Sequence, residues 1–149
     1  MRFAEKIETK SCGRDPDWRY AALRKTNFVL VHGGAGPYTK VAAVLMSKPN
    51  VYADFSEQDA LISTRALSTV IRDWLEWYPE KVLFGTDLSP GTPEIDWPEN
   101  GYMAATTARE ALALALTGMV NDGEITRGRA IELARMVLRE NAMKLYGLK

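Results

Sequence analysis

The 149 residues hold one cysteine, Cys12, and one histidine, His32. A single cysteine cannot build an internal disulfide framework. Cys12 also has no histidine beside it in sequence, so a nucleophilic role for it has little support. Charge of one sign is missing as well: 19 basic and 19 acidic residues balance to a formal net charge of zero. No global field then favours nucleic acid or an anionic membrane surface, and neither is expected as a partner. No apolar stretch is long enough to cross a bilayer or to read as a secretory signal, which makes the cytoplasm the expected compartment. Internal repeats and low-complexity segments are absent too. What remains is a composition of 46% hydrophobic and 26% charged residues. That is close to globular averages and enough to bury a core. We expect a single domain over residues 1–149, with residues 1–26 as an N-terminal segment and short helix and 27–149 as the main α/β unit.

The stretch "FVLVHGG", residues 28–34, sets the frame. A short continuous apolar run reads as a strand buried on both faces, as in a parallel sheet, and His32 then lies where that strand surfaces. Pro37 suits the first turn of a following helix, with Val41, Ala42, Val44 and Leu45 as its apolar side. "NVYADFS", residues 50–56, is a second strand. Leu67, Val70, Ile71, Trp74 and Leu75 recur at helical spacing until Pro79, with Trp74 and Trp77 assigned to core or interface. "KVLFGTD", residues 81–87, is a third strand. A helix is expected from about Ala104 to Val120. Another starts with Thr126 as N-cap, carries Ile131, Ala134, Val137, Leu138, Ala142 and Leu145 on one stripe, and ends at Gly147. Upstream, Asp15 and Pro16 suit the start of a short helix, and Phe3 and Ile7 alternate too weakly to define a strand.

Strand, helix, strand order with short loops implies parallel strands joined by right-handed crossovers. The three strand tips then carry His32, Asp54 to Ser56, and Asp87 to one edge of the sheet, where open α/β sheets and barrels bind their ligands. The glycines of "HGGAGP" fit neither the dinucleotide fingerprint nor a P-loop, so nucleotide binding is not expected.

"FVLVHGG", "NVYADFS", "KVLFGTDLSP" and the terminal "VLRENAMKLYGL" occur in an order and spacing that resembles the C-terminal part of the metal-dependent amidohydrolases of the amidohydrolase 2 type, over roughly residues 27–148. The Gly-Thr-Asp-x-x-Pro turn and the Asn-Ala-x-Lys-Leu-Tyr-Gly ending are its most specific pieces. The resemblance implies a partial (β/α) barrel made of the last three strand-helix units, with His32 ending the sixth barrel strand and Asp87 following the eighth. It implies a metal-dependent hydrolase or decarboxylase of a small molecule, with His32 as metal ligand or electrophile, Asp87 as ligand and general base, and zinc as the first choice of divalent metal. Asp54, Ser56 and Trp97 are candidates for substrate contact, Trp97 because its proline-rich loop follows Asp87.

The family's His-x-His pair on the first strand has no counterpart here, because the chain has no second histidine. An eight-stranded barrel takes about 250 residues, and both counts point to a truncated barrel. Such a sheet has unpaired edges, so a homo-oligomer, most simply a dimer, is expected to cover apolar faces near Val29, Tyr52 and Phe84 unless the terminal helices fold back over them. The competing expectation is a non-catalytic α/β module that binds or assembles. In that reading Asp87 caps a turn, and Asp54 and Ser56 cap the next helix, the role favoured for those two.

Overall fold

The computed structural model describes residues 23, 25–34, 36–88 and 97–149. The expectations for Phe3, Ile7, Cys12 and the helix at Asp15 and Pro16 lie outside these residues. Three strands, β1 (Phe28–Leu30), β2 (Val51–Asp54) and β3 (Val82–Leu83), form one parallel sheet in the order β1-β2-β3. Val29 pairs with Tyr52 and Asp54 with Leu83. Each strand leads through a turn to helices: α1 (Thr39–Leu45) after β1, then α2 (Gln58–Leu61) and α3 (Thr64–Trp77) after β2. Beyond β3 come α4 (Trp97–Asn121), α5 (Arg127–Arg135), a π-helical turn (Met136–Glu140) and α6 (Asn141–Tyr146). This is an α/β arrangement of parallel strands flanked by helices, consistent with a partial (β/α) barrel.

Local chemistry places the helices. The Ser63 hydroxyl accepts from the Ala66 amide at 3.3 Å and caps α3, and Pro79 follows its end. Leu67, Ile71, Trp74 and Leu75 fall on one side of α3 and are buried. They meet Ala108, Ala111, Leu112, Ala115 and Met119 of α4 in a core that also holds Ala53 and Phe55 from β2 and just beyond it. Alanines along α4 let the two helices approach closely, because an alanine leaves room for the partner's larger side chains. α4 starts at Trp97, earlier than the expected Ala104. Trp74 is 1% exposed and Trp77 is 72% exposed, so only the first belongs to the core.

The Thr126 hydroxyl caps α5 through the Arg129 amide at 3.2 Å. The buried face of the last helical stretch follows Leu133, Val137 and Asn141, while Ile131 and Leu138 are exposed. Val137 of the expected stripe is buried and Ala134 packs on the core, but the inner face runs on through Leu133 and Asn141 rather than Ile131 and Leu138. Asn141 is why: its amide donates to the carbonyls of Pro79 at 2.8 Å and Val82 at 2.9 Å, so a polar residue sits on the inner face. The Phe84 amide donates to the Val137 carbonyl at 3.2 Å, which fastens the end of β3 to the π turn. Lys81, also buried, donates through Nζ to the carbonyls of Met46 and Lys48 at 2.6 and 2.7 Å, closing the end of α1 against β3. On the outer side, Arg72 of α3 pairs with Glu76, Asp122 and Glu124. The hydrogen bond to Glu76 and then those to Asp122 and Glu124 hold its guanidinium more firmly protonated than usual.

Of the three strands only β3 is buried on both faces, at Val82 and Leu83. β1 is half-buried throughout, and along β2 the buried Val51 and Ala53 alternate with half-buried Tyr52 and Asp54. Phe84 packs on the core, with its ring edge-on to buried Phe55 at 6.0 Å. Along α1 only Ala42 of the expected apolar side is buried, leaving Val41, Val44 and Leu45 exposed beside Val31 and Tyr38. A short helix next to an edge strand has one neighbouring layer to pack against, and Thr39, Ala42 and Ala43 face it. No helix of the described residues is long and apolar enough to cross a membrane.

Candidate metal centre

The backbone makes a tight reversal where β1 ends. His32 has φ 62° and ψ 13°, and Gly33, Gly34 and Gly36 also take positive φ. The glycine after the histidine answers a packing demand as well as a backbone one. A Cβ on Gly33 would stand 2.2 Å from Cη2 of Trp74, whose indole donates to the Thr39 carbonyl at 3.0 Å. The buried indole therefore forms the floor under the turn that carries His32.

The tips of all three strands meet there. Nε2 of His32 lies 3.6 Å from a carboxylate oxygen of Glu57 and 3.7 Å from one of Asp87. The three ligand atoms lie within 4.8 Å of one another. The His32 side chain is 25% exposed and the carboxylates about half exposed, at 48% and 49%, so the cluster opens to solvent. His32, Glu57 and Asp87 are also the non-glycine residues with positive φ among those described, at 62°, 58° and 52°. Such a backbone costs of the order of 1–2 kcal/mol per residue, and strain gathered in one place points to a functional constraint. The geometry brings His32 and Asp87 together and adds Glu57, which sequence reasoning missed. Its position directly after the tip of β2 was the available signal; a glutamate gives no hint of a left-handed backbone.

Asp54 and Ser56 turn toward His32. One oxygen of Asp54, Oδ1, accepts from the backbone amides of His32 and Ser56, each at 3.0 Å, and from the Ser56 hydroxyl. Nδ1 of His32 lies 3.0 Å from Ser56 Oγ and 3.3 Å from the Ser56 carbonyl oxygen. Gln58, fully buried, donates its side-chain amide to the His32 carbonyl. The capping role favoured for Asp54 and Ser56 is corrected: the N-cap of α2 is Glu57, in the left-handed region, without a side-chain cap bond. Nor do Ser56, His32 and Asp54 form a nucleophilic triad. Ser56 is 4% exposed, and its hydroxyl donates to Asp54 itself rather than to the imidazole. Trp97, expected in a loop, belongs to α4.

The donor set fits a divalent transition metal. One imidazole and two carboxylates suit zinc, iron or manganese, and three protein ligands leave the open position of a catalytic zinc site. Donors bound tetrahedrally at about 2.0–2.2 Å stand about 3.4 Å apart, close to the 3.6 and 3.7 Å that separate His32 from the two carboxylates.

Protein fluG of Emericella nidulans is 32% identical over 130 residues, which is 86% of this chain. The chain spans only 14% of that relative's length. No solved structure matches the chain. The amidohydrolase family profile matches residues 20–148, a span that includes all three strands and His32, Glu57 and Asp87, and the chain belongs to the amidohydrolase family.

Proposed function

We propose that the chain supplies the C-terminal part of a metal-dependent hydrolytic or decarboxylating site, in which His32, Glu57 and Asp87 hold one divalent cation, zinc by the chemistry of the donors. The observation that carries this reading is the convergence of one imidazole nitrogen and two carboxylate oxygens within 4.8 Å, at the residues that, among those described, take a left-handed backbone without being glycine. A divalent cation held by these three residues would supply Lewis-acid chemistry, activating water near neutral pH and polarising a substrate carbonyl. His32 contributes a neutral nitrogen donor and fixes the centre of the site. Asp87, half exposed at the mouth, is placed to accept the proton of an attacking water. Glu57, from the neighbouring strand tip, balances the charge. For a carboxylated substrate the same centre would orient the carboxylate instead.

A binding or assembly module is the second reading. It is supported by exposed Val31, Tyr38, Val41, Val44 and Leu45 around β1 and α1, an apolar surface at a sheet edge. A dimer formed through this surface would sediment as such, and Val44→Glu would return it to a monomer.

Metal content decides between them. Elemental analysis of protein prepared without chelators or a histidine tag should find near-stoichiometric zinc, manganese or iron. A His32→Ala, Asp87→Ala double variant should lose it. Metal-free protein after incubation with excess zinc and dialysis would end the metalloenzyme reading.

A further inference from the structure

We propose that Ser56 and Asp54 are positioning residues that lock His32 in the form protonated on Nδ1, so that Nε2 faces Glu57 and Asp87 with a free lone pair. The proposal rests on the metal reading only for its purpose; the lock itself is a property of the chain without metal.

Counting protons carries the case. A serine hydroxyl has one hydrogen to donate, and a carboxylate has none. The Ser56 hydroxyl donates to Asp54 Oδ1, an oxygen that already accepts the amides of His32 and Ser56 at 3.0 Å each. What Ser56 Oγ presents to His32 Nδ1, 3.0 Å away, is therefore a lone pair. The Ser56 carbonyl oxygen, 3.3 Å from the same nitrogen, can only accept. Two acceptors at one ring nitrogen require the hydrogen to be there. In a neutral imidazole the other nitrogen then has none, and that nitrogen is the one 3.6 and 3.7 Å from the carboxylates.

Two further observations show a ring held for a purpose. Asp54 grips the His32 backbone amide and Gln58 grips its carbonyl, so the peptide is fixed from both sides in its left-handed conformation. The Ser56 side chain is buried, which removes it from contact with a substrate and leaves it free to orient the ring. Metal-ligating histidines commonly donate their second nitrogen to such a partner, and losing that partner costs roughly ten- to a hundredfold in metal affinity.

His32 is the one histidine in the chain, so ring-labelled 15N-histidine gives a single imidazole to read. Long-range proton–nitrogen correlation spectra of the tag-free, metal-free protein, taken where the ring is neutral, should show a protonated Nδ1 and an unprotonated Nε2. A slowly exchanging Nδ1 proton should show a nuclear Overhauser contact to the Ser56 Hβ protons. Ser56→Ala removes the nearer acceptor and leaves the Ser56 carbonyl, so the Nδ1–H form should be less populated than in the wild type, and zinc titration against a competing chelator should show affinity reduced roughly ten- to a hundredfold. Asp54→Asn keeps an oxygen acceptor for Ser56 and should keep the wild-type tautomer. A wild-type ring protonated on Nε2, no Nδ1 proton near Ser56, or a folded Ser56→Ala with the wild-type tautomer population would each overturn the proposal. A chain with the expected tautomer that takes up no zinc would refute the metal reading while leaving the lock intact.

Discussion

Replacing Gly33 by alanine tests the link between the core and the candidate site. The new methyl would lie 2.2 Å from Cη2 and 2.7 Å from Cζ2 of Trp74, and the backbone at φ +53° is one that an alanine adopts reluctantly. The left-handed conformation costs about 1–2 kcal/mol, and forcing a methyl into a packed interior adds about 1–3 kcal/mol. Gly33→Ala should therefore destabilise the fold by about 2–5 kcal/mol, a large part of the ~5–15 kcal/mol that holds a typical domain together. Gly123 supplies the control: it has φ +75° with nothing within 4 Å of a built Cβ, so Gly123→Ala bears the backbone cost without the clash. Urea unfolding followed by circular dichroism gives both values, provided the slopes agree. The gap between the variants, about 1–3 kcal/mol, measures how firmly Trp74 supports the turn. If Gly33→Ala is no more destabilising than Gly123→Ala, the indole does not support the turn and the packing account of the His-Gly-Gly motif fails.

Other substitutions test other parts of the structure. Glu57→Gly relieves a left-handed residue, at φ 58°, and should change stability by less than about 1 kcal/mol while weakening zinc binding; unchanged zinc affinity by titration would remove Glu57 from the site. Asn141→Ala leaves the carbonyls of Pro79 and Val82 without their donor. It should cost about 2–4 kcal/mol in chemical denaturation, near the penalty for stranding one buried and one part-buried acceptor. Trp74→Ala should cost about 3–5 kcal/mol, whereas Trp77→Ala, at a side chain 72% exposed, should stay within about 0.5 kcal/mol. Equal losses for the two tryptophans would contradict the assignment of the core face.

Strand tips, helix order and family could be read from residue order alone, because hydrophobic periodicity and turn residues act locally. "FVLVHGG", "NVYADFS" and "KVLFGTD" lie on the strands and their outgoing turns, Thr126 caps its helix, and Gly147 closes the last one with φ 65°. His32 and Asp87 stood out for the same reason, as polar residues ending apolar runs. Other features depend on neighbours far along the chain. Glu57 joins the cluster only because parallel pairing of β1, β2 and β3 aligns three tips and the chain turns left-handed at each. Asn141 occupies a buried face because Pro79 and Val82, about sixty residues earlier, offer it two carbonyls. Asp54 and Ser56 serve His32 rather than a helix end because the β1 turn comes within hydrogen-bonding distance of the tip of β2. Local sequence sets which backbone shapes are inexpensive, but a hydrogen bond between distant residues exists only once the fold has brought its donor and acceptor together.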